Sequence, residues 1–77
     1  MNYSRIHVQY RDGSKPKGAR VVLIFSGLFG GKTETAHTDR YGTAIVAHES
    51  VGKAEVYVNG RPVGAFRAPG DTAVFVQ

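Results

Sequence analysis

A chain of 77 residues with Lys+Arg 10 against Asp+Glu 6 has room for one small core, because a domain of this size buries only about 60% of the surface its unfolded chain exposes. It contains no Cys, which excludes disulfide staples and thiolate zinc sites, and its net charge of +4 favours acidic partners without specifying a fold. No apolar stretch approaches the ~20 residues of a membrane-spanning helix, and residues 1–5 lack the apolar centre of a secretion signal. The chain is therefore expected to be soluble, cytoplasmic if Met1 is the true start and extracytoplasmic if a leader has been removed.

Residues 3–10 alternate, with Ile6, Val8 and Tyr10 opposite Arg5, His7 and Gln9, the period of a strand buried on one face. Asp12-Gly13 permits positive φ and Pro16 lacks a backbone donor, so residues 11–18 form a turn or short loop. Residues 19–25, Ala-Arg-Val-Val-Leu-Ile-Phe, are the longest apolar run. They are too few for a stable helix, rich in β-branched residues and bounded by Gly18 and Ser26-Gly27, which predicts a central strand covered on both faces. Such a strand requires a second sheet.

A glycine-rich loop, 26–32, follows and carries Leu28 and Phe29. Threonine-rich residues 33–38 predict a strand, Asp39-Arg40-Tyr41-Gly42 a turn, residues 43–47 a further strand, and residues 48–52 a loop. Residues 53–59 alternate, with Ala54, Val56 and Val58 inward and Lys53, Glu55 and Tyr57 outward. Asn59-Gly60 predicts a type I′ hairpin turn. Pro62 and Gly64 weaken the return strand, 61–67, and place it at a sheet edge. Pro69-Gly70 turns the chain into a last strand, 72–76, with Val74 and Val76 on one side. About seven short strands at this spacing predict one all-β domain over 1–77, an antiparallel or mixed β-sandwich; the alternative is a small OB-like or SH3-like barrel.

The order of these signals is similar to a known family. Val8-Gln9-Tyr10-Arg11-Asp12-Gly13, the step Pro16-Lys17-Gly18-Ala19 and then Val21-Val22-Leu23 resemble the opening of transthyretin-like, carboxypeptidase-regulatory-like domains. Thr38-Asp39-Arg40-Tyr41-Gly42-Thr43-Ala44 resembles that family's T-D-x-x-G turn, and Gly52 to Gly60 matches the segment that follows. The resemblance implies a seven-strand sandwich of prealbumin type that serves as an accessory or binding module. One enzyme of that superfamily, the 5-hydroxyisourate hydrolase, carries an H-V-L-D stretch on its first strand. His7-Val8 stands in that place, but Gln9-Tyr10 depart from the motif and the C-terminal Y-R-G-S signature is missing.

Other chemistry is weaker in the sequence. Gly27 to Thr33 resembles a phosphate-cradling G-x-x-x-x-G-K-[ST] loop, yet only three residues separate Gly27 from Gly31-Lys32 and an extended segment follows where a helix is needed. His7, His37 and His48 lack the spacing of a metal site. Lys15, Lys17, Glu34, Glu55 and Asn59 are the residue types of a Lys–Asn amide cross-link, but none stands in a buried context. Tyr3, Tyr10, Phe29, Tyr41, Tyr57 and Phe66 beside a basic background allow nucleic-acid binding as the rival class, without the clustered aromatics of an RNA-binding motif.

The expectation is a non-catalytic module that binds a protein partner or self-associates through an edge strand, without cofactor, metal or identified small-molecule substrate. Leu28, Phe29, Lys32, Arg61 and Arg67 are its expected contact residues.

Overall fold

The computed structural model describes residues 1–27 and 31–76. The strands are β1 (Asn2–Tyr10), β2 (Arg20–Phe25), β3 (Ala36–His37), β4 (Thr43–His48), β5 (Gly52–Val58), β6 (Arg61–Ala68) and β7 (Asp71–Val76). They form two open sheets, a three-stranded one in the order β4-β1-β7 and a four-stranded one in the order β3-β2-β5-β6. All pairs are antiparallel except β1 with β7. The architecture is thus a small mixed sandwich, and the barrel alternative fails because among the described residues no ladder joins one sheet to the other.

Alternation decides what each strand puts between the layers. Ile6 and Val8 of β1, Val21, Leu23 and Phe25 of β2, Ala44 and Val46 of β4, Ala54, Val56 and Val58 of β5 and Val74 of β7 form one core. The central run is covered less than its composition predicts: Val21, Leu23 and Phe25 are buried, whereas Val22 and Ile24 are half-buried and Arg20 is exposed. In a two-layer fold even a central strand has one inner face, so the second row of β2 is left on the outside.

The threonine-rich segment departs further from expectation. Of residues 33–38 only Ala36–His37 form a strand. Upstream, Lys32 bridges Ile24, the Thr33 amide donates to the Leu23 carbonyl at 3.0 Å, and the Leu23 amide donates to Thr33 Oγ1 at 3.0 Å. A hydroxyl thus substitutes for a ladder carbonyl, and Glu34 and Thr35 leave the ladder. Thr38 closes the segment: its buried hydroxyl accepts from the Ala19 amide at 2.9 Å and donates to the Pro16 carbonyl at 2.8 Å.

Two glycines permit close approaches, one within the three-stranded sheet and one between the sheets. Gly42 has φ +77 and lies against β1, where a Cβ would stand 2.5 Å from the Val8 carbonyl oxygen and 2.9 Å from Lys15 Cβ. Gly64 allows β6 to approach β7, since a Cβ there would stand 3.2 Å from Val74 Cγ1. The hairpin turn forms at Asn59 (φ 52) and Gly60 (φ 84). Asn59 also ties β2, donating from its amide to the Arg20 carbonyl at 2.8 Å and accepting the Arg20 amide on Oδ1 at 3.0 Å.

Candidate interaction surface

The buried polar groups come first, because a reaction centre would need some of them. Alternation in β4 continues one residue past the expected strand end, so His48 is buried in the core at 5% exposure. Its Nδ1 lies 2.7 Å from the Ser50 carbonyl oxygen, which can only accept, so Nδ1 carries the proton. Nε2 then accepts from Ser4 Oγ at 2.7 Å, and Ser4 Oγ accepts the Gly70 amide at 3.2 Å. This has the connectivity of a nucleophile and its base, but Ser4 is 1% exposed and no substrate carbonyl can reach it. The pair serves as a strap between β1, β4 and the β6–β7 turn. Among the described residues every buried side-chain N or O has a partner.

His7 lies on the outer face of the three-stranded sheet. Its Nδ1 stands 3.1 Å from Thr43 Oγ1 and its Nε2 3.7 Å from Asp71 Oδ2, and Arg5 approaches the same carboxylate oxygen at 3.8 Å. The Asp71 contact is too long for a hydrogen bond, and these side chains are largely exposed. Tyr3, Ile45 and Phe75 flank the cluster and are exposed. The face is thus close to electrically balanced. Among the described residues no group of three His, Asp or Glu could hold a metal ion. The residues considered for a Lys–Asn cross-link, Lys15, Lys17, Glu34, Glu55 and Asn59, are all exposed.

The opposite outer face is different. Register places Val22 beside Tyr57 and Ile24 beside Glu55, Lys53 beside Arg67 and Tyr57 beside Pro62, and Lys32 beside Ile24. Arg20, Lys32, Lys53 and Arg67 therefore share this face with Glu55 as its only carboxylate among the described strand residues. A shallow groove of about 300 Å³ lies on this face beside Arg20 and Lys32, lined with them by Val22, Ile24 and Tyr57. The face ends at β6, the outermost strand of its sheet, whose far row of backbone groups has no ladder partner.

Lys32 and Arg67, two of the expected contact residues, thus belong to one basic face. Arg61 does not share it. Its register partner is the inward Val58, and it turns toward the open end of the sandwich, where it lines a separate cleft with Arg11. Leu28 and Phe29 lie outside the described residues. Arg20 and Lys53 escape a sequence reading that treats cations as scattered, although the period-two alternation of β2 and β5 marks both as outward.

Two carboxylates are held below their ordinary pKa, both in turns. Asp12 accepts the Ser14 hydroxyl at 2.6 Å and the Ser14 amide at 2.9 Å, and these bonds stabilise its charged form. Asp39 accepts the Thr43 amide at 3.0 Å and the Tyr41 amide at 2.8 Å; those bonds, with a smaller contribution from the Arg40 charge, lower its pKa.

No helix among the described residues is long and apolar enough to cross a membrane. No protein-family model matches this chain, and no curated protein matches it.

Proposed function

We propose that the chain is a non-catalytic interaction module whose contact surface is the basic outer face of the four-stranded sheet together with its edge strand β6, and that its partner is an extended acidic segment of a protein. The observation that carries this reading is the alignment of Arg20, Lys32, Lys53 and Arg67 on one outer face with the half-buried Val22, Ile24 and Tyr57, Arg20 and Lys32 lining one groove with these three. Cations beside partly covered apolar groups suit a partner whose side chains alternate in charge and apolarity. An open edge supplies backbone pairing to a segment of that shape. The resemblance of the turn sequence to transthyretin-like domains supports the same kind of role. Single-stranded nucleic acid is the rival occupant, but stacking platforms use several aromatics, and Tyr57 is the one aromatic of this face among the described strand residues.

An NMR titration with an acetylated peptide of alternating Glu and Val, run beside oligothymidine, tests the reading. The expected result is saturable shifts of β6 amides and of Val22, Ile24 and Tyr57 with the peptide, weakening as salt screens the charges. Shifts confined to the outer face of the three-stranded sheet, or tighter binding of oligothymidine with a steep salt dependence, would overturn it.

A further inference from the structure

The sandwich opens at the end where the β5–β6 hairpin meets the end of β1, and the opening is a cleft of about 620 Å³. Arg11 and Arg61 line it together with Tyr10, Val63 and Val76, and among the described residues no carboxylate does. The carboxylate nearest in sequence, Asp12, is turned into its own loop by Ser14. Neither arginine makes an ion pair among the described residues. Two guanidinium groups above an apolar floor are suited to a carboxylate carried by an apolar body, because the guanidinium fork matches carboxylate geometry and the body covers the floor.

The direction of β6 says where such a carboxylate would come from. β6 runs from Arg61 to Ala68. A segment added antiparallel to its free edge starts beside Ala68 and finishes beside Arg61, at the mouth of this cleft. We infer that the Arg11–Arg61 cleft is a recognition site for the free C-terminal carboxylate of an extended segment paired with β6, with the last apolar side chain of that segment seated among Tyr10, Val63 and Val76. The inference rests on β6 being the contact edge proposed above and adds the polarity of the partner and the chemistry of its end.

The test uses two pairs of probes, each as free acid and as C-terminal amide: N-acetyl-phenylalanine, which reports the cleft alone, and an alternating Glu-Val peptide ending in Phe, which reports the cleft and the edge together. For the peptide the acid is expected to bind about tenfold more tightly than the amide, a ratio equivalent to ~1.4 kcal/mol. Acid-specific shifts are expected at Arg61, Val63 and Val76. Arg61→Gln and Arg11→Gln are expected to bring the acid-to-amide ratio near one while β6 shifts persist. Equal affinity of acid and amide would overturn the inference, and β6 shifts seen with both would leave the contact edge standing. Displacement of the acid by inorganic phosphate at equal concentration would show a general anion site and overturn it too. So would concentration-dependent shifts of Arg11 and Arg61 without any probe, which would give the cleft to a second copy of the chain.

Discussion

The sandwich has two open seams, and they carry opposite charge. Where the β3 edge lies beside the β4 edge, a cleft of about 790 Å³ is lined by Glu34, Asp39 and Glu49 with His37, Ile45 and Met1. Where the β5–β6 hairpin meets the end of β1, the smaller cleft carries Arg11 and Arg61. The two are also closed differently. The acidic side is held by a turn with side-chain hydrogen bonds into its own backbone, through Asp39, and by Gly42 seated against β1. The basic side is held by contact between β6 and β7 at Gly64, with long stretches of strand edge left free. The two seams thus differ in the sign of their charge and in how the chain is held beside them, by a turn capped through Asp39 on the acidic side and by a glycine packed on a valine on the basic side.

The comparison can be broken most severely at Gly42. Gly42→Ala introduces a Cβ against backbone at a positive φ, where neither space nor conformation is available. It should cost about 2–4 kcal/mol, read as a lower urea midpoint with the slope unchanged. Ser4→Ala cuts the strap reaching from the acidic seam to the β6–β7 turn. It leaves His48 Nε2 without a donor and the Gly70 amide without an acceptor, for a loss of about 1–3 kcal/mol in the same assay. Gly64→Ala on the basic side should be milder, about 1 kcal/mol, because its obstacle is one Val74 methyl group and its φ is not positive. If Gly64→Ala proved costlier than Gly42→Ala, the assignment of the two seams would be reversed.

The mildest effect is one of pH. Asp39 has a folded pKa below its ordinary value, so it contributes stability that is present above the unfolded pKa of about 3.9. That contribution is lost as pH falls through the folded value. Asn at this position can accept the same amides without titrating. Asp39→Asn should therefore flatten the loss of stability below about pH 4, measured by circular dichroism along an acid titration. An acid limb identical to that of the unaltered chain would remove Asp39 from the account of the turn.

Much of the fold was legible because its decisive residues act locally. Asn59 and Gly60 require a turn that only positive φ provides, and the alternation of β1 and β5 separates inner from outer residues without tertiary knowledge. Pro62 and Gly64 rightly marked β6 as an edge, although Gly64 serves close approach to β7 rather than weak pairing. What stayed hidden depends on register between distant strands. Lys53 meets Arg67 only through the β5–β6 ladder, and Lys32 reaches Ile24 only because residues 31–33 return along β2. Thr33 concealed the break in the third strand by offering a hydroxyl in place of a ladder carbonyl. His48 looked like a loop residue because its burial depends on Ser4, far away in sequence.

A nitroxide placed either at the N-terminus of the alternating Glu-Val peptide or on a cysteine side chain two residues before its C-terminal Phe, with the terminal carboxylate left free, reports the direction of the bound segment through the broadening of backbone amides. The label near the peptide's free C-terminal carboxylate should bleach the signals of residues 61–63 and spare 66–68, and the label at its N-terminus should do the reverse. Bleaching around Arg5 and Ile45 on the three-stranded sheet, or the same pattern from both labels, would contradict the account.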